Sequence, residues 1–336
     1  MRIMIMGAGC MGGLIGGALQ SVGMAVTLVD RGEHLKRLQA QGLRVTRPDG
    51  SELRLPSCRA IGNTAGCGAQ EVLIIALKAH QIPAALDTMA ELIGPETTVV
   101  SLQSGIPWWY FQLHGGPHDG RVIQAADPGG QISACIDPHQ IVGCIAYPAA
   151  IMAAPGHIIH VEGNRFPVGT LDGRETERVL HISGLFQRAG FKAPVLEDLR
   201  AEVWLKAIGN LSFNPISALT RATLLDICDH SDTRTLAREM MEEGEIIAKR
   251  LGVELRLSIE RRIEGARRVG RHRSSMLQDA DSGEPMEIDA LVTAIVELGE
   301  LTATDTPAIR HVLALTRLLN QVITEERVGI YNGTRT

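Results

Sequence analysis

Aromatic side chains are scarce in this chain, at 3%, which argues against the stacking platforms that bind single-stranded nucleic acid. Charge does not compensate: a net value of −5 gives no general attraction to nucleic acid or to an anionic membrane. The six cysteines (Cys10, Cys58, Cys67, Cys135, Cys144, Cys228) form no CxxC pair and no metal-ligand spacing. Neither a metal centre nor a disulfide framework is therefore expected, and they read as reduced thiols of a cytoplasmic protein. Internal repeats and low-complexity stretches are missing too. Charge is also absent from Ile3 to Val29, long enough to imitate a membrane span. Seven glycines (Gly7, Gly9, Gly12, Gly13, Gly16, Gly17, Gly23) interrupt that stretch and its first residues read as a strand, so no membrane segment is expected. What remains is an ordinary globular balance, 45% hydrophobic and 21% charged over 336 residues, with length for two domains.

The same uncharged stretch parses as strand, glycine turn, helix and strand. "GAGCMG" fits GxGxxG at Gly7, Gly9 and Gly12, and the second strand ends at Asp30. The first glycine permits a tight turn, the second admits a pyrophosphate to the backbone, and the third lets helix pack on strand. Phosphates then meet the helix N-terminus over Ala8, Cys10 and Met11. Asp30 follows Gly12 by 18 positions, near the spacing of a ribose-binding carboxylate. A carboxylate there favours NAD, whereas Arg31 beside it can hold a 2′-phosphate and favours NADP. Residues alone leave that choice open.

"EVLIIALK" (71–78) and "TTVVSLQS" (97–104) are continuous apolar runs, as buried parallel strands should be. They end on Lys78 and on Gln103 and Ser104, at the strand ends where ligands of open α/β sheets bind. Residues 121–127, 141–147, 156–163 and 165–169 predict further strands of the same sheet. "HGGPHDG" (114–120) carries two histidines four apart, but its glycines and proline make it a loop and no third ligand is apparent. Beyond Asp172 helical periods take over, with segments near 173–188, 199–213, 215–228, 232–251, 256–271, 285–301 and 307–325. The expected fold class is α/β: a Rossmann-type dinucleotide-binding domain over 1–190, then an all-α domain over 191–336, with a cleft between them.

"EVWLKAIGNLSFNPISAL" (202–219) sets Lys206, Asn210 and Asn214 four apart on an otherwise apolar helix. A polar stripe in an interior needs partners. A buried hydrogen-bonded network would supply them, and so would a ligand, with Pro215 inviting a kink beside it. The arginine-rich stretch 259–276 reads as a solvated helix, or as a positive patch that draws in an anion. Ser274 and Ser275 fall in an expected turn and Glu287 in the first turn of the next helix, where capping alone explains each.

Taken in order, "GAGCMG", "ALKAHQ" around Lys78, "LQSG" around Ser104, "EVWLKAIGNLSFNPISAL" and "SSMLQD…EPMEID" make the chain resemble the ketopantoate reductases (2-dehydropantoate 2-reductases) over nearly its whole length. That resemblance implies NADPH-dependent reduction of 2-dehydropantoate to (R)-pantoate, on the route to pantothenate and coenzyme A. It implies Lys206 as general acid, Glu287 at the substrate hydroxyl, and Asn210, Asn214, Ser275 and Ser104 around the substrate. Gly7, Ala8, Gly9, Cys10, Met11, Gly12, Asp30, Arg31, Lys78 and Ser104 would hold the cofactor. A small 2-keto acid is the expected partner, with no nucleic acid or membrane, and a homodimer is compatible with the family. Three features depart from its pattern: Ser104-Gly105 replaces the usual Asn-Gly, Asp30 is an acid where NADP-preferring members lack one, and 127–140 is longer. These features also fit a D-2-hydroxyacid dehydrogenase, NAD-linked, acting on another branched 2-keto acid. A non-catalytic dinucleotide sensor is the remaining alternative, against which the retained Lys206–Asn210–Ser275–Glu287 set argues.

Overall fold

A computed structural model describes residues 1–326; the last ten positions of the expected helical domain, 327–336, lie outside the described residues. Two compact units are present. The first comprises Met1–Ser104, Trp108–Val122 and Gly129–Leu199; the second comprises Gly105–Pro107, Ile123–Pro128 and the described residues from Arg200 on.

The strands of the first unit are β1 (Ile3–Met6), β2 (Val26–Val29), β3 (Leu43–Thr46), β4 (Glu52–Leu55), β5 (Arg59–Ile61) and β6 (Val72–Ile75). They continue as β7 (Thr98–Ser101), β8 (Ile141–Cys144), β9 (Ala149–Ala154), β10 (His157–Glu162) and β11 (Val168–Thr170). Seven of them form one sheet in the order β11-β8-β7-β6-β1-β2-β5. All its pairs are parallel except β11 with β8. Strands buried on both faces read as continuous apolar runs, and β1, β2, β6, β7 and β8 are buried at every position. Strand order reverses between β1 and β6, the switch point at which ligands of such sheets bind.

The helix Cys10–Ser21 lies between this sheet and a second one. A Cβ on Gly16 would come within 2.6 Å of Leu28 of β2, and one on Gly13 within 2.3 Å of Ile158 of β10. Gly13 and Gly16 of the uncharged stretch are thus packing faces, not part of a membrane pattern. The second sheet has the order β4-β3-β10-β9 and corrects one expectation. Residues 156–163 do not complete the main sheet but pair with β3 and β9. Of 165–169 only the end enters the main sheet, as antiparallel β11 at its edge. The stretch 121–127 is no strand at all. Its Gln124 and Ala125 N–H groups go to the carboxylate of Glu297, at 2.8 and 2.9 Å, within the second unit.

The second unit is helical: Leu199–Thr220, Leu224–Asp229, Ser231–Arg250, Ile259–Val269, Ser275–Ser282, Ala294–Leu301 and Pro307–Glu326. The first of these runs unbroken through Pro215, where the sequence suggests two helices. Trp204, Ile208 and Leu211 on it are fully buried, and Gly244 of Ser231–Arg250 brings that helix against Ile208 and Leu211. Glu243 reaches across to accept the N–H groups of Ala308 and Ile309, at 2.8 and 3.0 Å. These are orphan donors at the start of Pro307–Glu326.

Candidate active site

Parallel register sets the first group of expected residues side by side. Met6 of β1 pairs with Val29 of β2 and with Ile75 of β6, and Ile75 pairs with Ser101 of β7. The chain leaving those four ends carries Gly7, Asp30, Lys78 and Ser104 along one edge of the sheet. Gly7 has φ +91°, and a Cβ on Gly12 would stand 1.9 Å from the Gly7 carbonyl oxygen, so both positions demand glycine within the protein itself. Gly9 differs. A Cβ there would meet no protein atom within 4 Å, so packing does not require glycine at that position, whereas a pyrophosphate drawn close to the backbone would.

Helix Cys10–Ser21 has Gly9 as its N-cap, with no side-chain cap and no acid in its first turn. That end suits an anion. The residues present therefore fit a dinucleotide. Asp30 accepts the Ala8 N–H through Oδ2 at 2.8 Å and the Arg31 N–H through Oδ1 at 2.7 Å, so its carboxylate is fastened to the glycine turn. His34, which no motif marks, binds the Ala8 carbonyl from the other side at 2.9 Å. Lys78 is half-buried and opens the turn Ala79–Gln81; its N–H donates to Gln81 Oε1 at 3.1 Å. Ser104 is half-buried. Gln103 is buried and accepts from the Ser101 hydroxyl, which in turn accepts the Trp109 indole N–H at 2.8 Å. The expected loop histidines, His114 and His118, pack edge-on and tilted against Phe111, with ring centroids at 5.3 and 5.4 Å.

The second group lies in the helical unit. Lys206 and Asn210 are half-buried on Leu199–Thr220, and Asn214 is 7% exposed. The structure brings Asn214 and Ser275 together: Asn214 Nδ2 stands 3.5 Å from Ser275 Oγ. Ser275 does not lie in the expected turn but opens the helix Ser275–Ser282. Buried Ser274 is the N-cap of Ser275–Ser282, accepting the Leu277 N–H at 3.1 Å, and its hydroxyl lies 3.5 Å from the Asn214 carbonyl. Capping thus accounts for Ser274 and leaves Ser275, which is exposed, unexplained by it.

Glu287 is half-buried and precedes its helix instead of starting it. It sits at the centre of a three-residue turn closed by Ile288 N–H to Met286 C=O at 2.9 Å. Asn320 Oδ1 fixes the Met286 N–H at 2.9 Å. A π-helical turn, Asp289–Thr293, follows directly; such turns recur at functional sites. Its Ala290 carbonyl accepts the Ile106 N–H at 2.9 Å.

The chain matches two family models, described as ketopantoate reductase PanE/ApbA over residues 3–108 and as its C-terminal part over 198–320. The 2-dehydropantoate 2-reductase of Mesorhizobium japonicum is 48% identical over 320 residues, covering 95% of this chain and 98% of that one. The chain belongs to the ketopantoate reductase family. Among family members, the 2-dehydropantoate 2-reductase of Archaeoglobus fulgidus is 27% identical over 94% of this chain and 97% of its own. A ketopantoate reductase-family crystal structure from Ralstonia solanacearum superposes with a TM-score of 0.90 at 38% identity, covering 96% of this chain and 98% of that one. A D-mandelate dehydrogenase solved with NADH shares the fold at a TM-score of 0.82 and 20% identity, over 96% and 99% of the two chains. No helix among the described residues is long and apolar enough to cross a membrane.

Proposed function

We propose that this ketopantoate reductase family member reduces 2-dehydropantoate to (R)-pantoate with NADPH, and that Lys206 is its general acid. The polar stripe on Leu199–Thr220 carries this reading. On a helix whose other faces are packed, Lys206, Asn210 and Asn214 stay on one side, and Asn214 meets Ser275. The relative at 48% identity supports the substrate. When bound, the reduced nicotinamide supplies the hydride. The protein must then stabilise and protonate the oxygen on which charge grows. Lys206 Nζ holds that proton, and Glu287 favours the charged form of the lysine and meets the substrate hydroxyl. Asn210 and Asn214 orient the oxygen, and Ser275 binds the carboxylate. Gly7 to Gly12, Asp30, Arg31, Lys78 and Ser104 are proposed to hold the cofactor.

Replacing Lys206 with alanine should lower kcat by about 10² to 10⁴-fold, the usual worth of a positioned acid. Dinucleotide affinity should stay as it was. An unchanged kcat would sink the assignment. One observation favours a second reading: the Asp30 carboxylate stands at the end of β2, fastened to the Ala8 N–H, where it suits a free ribose hydroxyl and repels a 2′-phosphate. A D-2-hydroxyacid dehydrogenase using NADH is that reading. A panel of 2-keto acids assayed with NADH and with NADPH separates the two, and tight binding without turnover on any of them would mark a sensor.

A further inference from the structure

We propose that His34 is a positioning residue for the dinucleotide: it fixes the carbonyl side of the glycine turn and ties that turn to the hairpin of the second sheet. The proposal rests on the reading that the first unit binds NAD(P). His34 lies in the first turn of the helix Gly32–Gln41. One ring nitrogen, Nε2, stands 2.9 Å from the Ala8 carbonyl oxygen, and the other, Nδ1, stands 3.0 Å from the Gly156 nitrogen. A carbonyl only accepts and a backbone N–H only donates. The imidazole must therefore be neutral, with its proton on Nε2 and its lone pair on Nδ1. An imidazolium would lose the bond from the Gly156 N–H, and the other tautomer would lose both.

The consequence falls on Gly9. In a trans peptide the C=O and the following N–H point in opposite directions, so holding the Ala8 carbonyl aims the Gly9 N–H away from His34. Asp30 holds the Ala8 N–H on the preceding peptide, at 2.8 Å. Consecutive peptides of the phosphate-binding turn are thus each pinned by a side chain from beyond β2. The anchor on the far side is equally fixed. Gly156 has φ +78°, and a Cβ there would stand 2.7 Å from Arg37 Cγ of the His34 helix. Its carbonyl accepts the Arg44 N–H of β3 at 2.9 Å. A single imidazole therefore joins the second sheet to the turn, and pre-organised donors bind an anion without first having to be ordered.

The test is a fluorescence titration with NADH and with NADPH, without keto acid, on the wild type, His34→Ala and His34→Gln. The alanine variant should raise both dissociation constants about tenfold, the equivalent of losing one ordinary hydrogen bond. At saturating cofactor its kcat and its KM for keto acid should be unchanged. Glutamine's amide offers both an N–H donor group and a carbonyl acceptor and should recover most of the affinity. Nitrogen-15 NMR of the histidine rings should show the Nε2–H tautomer at His34, and the opposite tautomer would refute the geometry even where the alanine variant does not fold. Unaltered affinity in His34→Ala, no recovery in His34→Gln, or an Nδ1–H tautomer would each overturn the proposal. Failure of the 2-dehydropantoate reading would show in turnover and not in this titration.

Discussion

Gly105 follows the Ser104 that departs from the family pattern, and the structure makes it a sharp place to perturb. It has φ +79°, and an added Cβ would stand 2.3 Å from the Ala290 carbonyl oxygen, 2.6 Å from its carbon and 3.0 Å from the Leu291 nitrogen. All three are backbone atoms, so no side chain can swing aside. Left-handed backbone costs a non-glycine residue about 1–2 kcal/mol. Restoring van der Waals contact requires the backbones to part by about 1 Å. That breaks the bond from Ile106 N–H to Ala290 C=O, now 2.9 Å, and removes about another 1–2 kcal/mol. Gly105→Ala should therefore destabilise the protein by about 2–4 kcal/mol. Gly252→Ala is the control: φ is +82° and nothing lies within 4 Å of the Cβ, so only the backbone strain applies. Urea unfolding of both variants isolates the clash as their difference, about 1–2 kcal/mol. The π-helical turn also carries the chain on from Glu287, so a displaced Ala290 should lower turnover by up to about 100-fold. Equal losses of stability in the two variants would refute the reasoning.

Two further perturbations test the helical unit. Burial pushes the Glu243 carboxyl above the ordinary 4.5, against the opposing pull of the Ile309 and Ala308 N–H groups. A raised folded value means that the stabilising contribution is full below 4.5 and is lost as pH rises through the folded value. In urea unfolding, the stability of the wild type minus that of Glu243→Gln should shrink over that window; a difference that grows with pH would contradict it. Arg262 is buried and donates to the carbonyls of Leu257 and Leu205, both at 3.1 Å. Arg262→Met should cost about 2–4 kcal/mol, while exposed Arg261→Ala should stay within about 0.5 kcal/mol. Similar losses in both would remove the distinction.

The Rossmann half of the fold is legible because its signals are local. Glycine spacing, fully apolar strands and an acid at the end of β2 lie within one short stretch. The second sheet is not legible in that way. β3 and β4 are only four residues long, too short for their alternation of apolar and polar residues to stand out from a charged loop. The stretch 121–127 has strand-like composition, yet its Gln124 and Ala125 N–H groups go to the carboxylate of distant Glu297 and those of Ala126 and Asp127 turn back to the Ile123 carbonyl. At the candidate site, the spacing of Lys206, Asn210 and Asn214 announces a polar stripe, and family resemblance supplies Ser275. Only the fold shows that Ser274 does the capping. His34 carries no signal, because its role depends on Gly156, 122 positions downstream.

The arginine-rich stretch shows why charge counted along a sequence is a poor measure of field. Read as a run, its arginines suggest either a solvated helix or a patch that attracts an anion. In the fold, Arg267 pairs with Asp229 at 2.7 Å and Arg268 with Glu264 at 3.1 Å. Arg271 pairs with Asp226 at 3.6 Å, and Arg273 with Asp281. Four of its six arginines are thus matched by a nearby carboxylate, and the potential beyond a Debye length of about 8 Å is correspondingly reduced. Arg262 turns inward, 3.7 Å from Glu245, whose carboxyl burial pushes up. It holds the Leu205 carbonyl, one residue before Lys206. The stretch therefore acts less by attracting an anion than by bracing the helix that carries the proposed general acid. Raising the salt concentration should accordingly leave the association rate of a 2-keto acid nearly unchanged, whereas a steering patch would make that rate fall steeply.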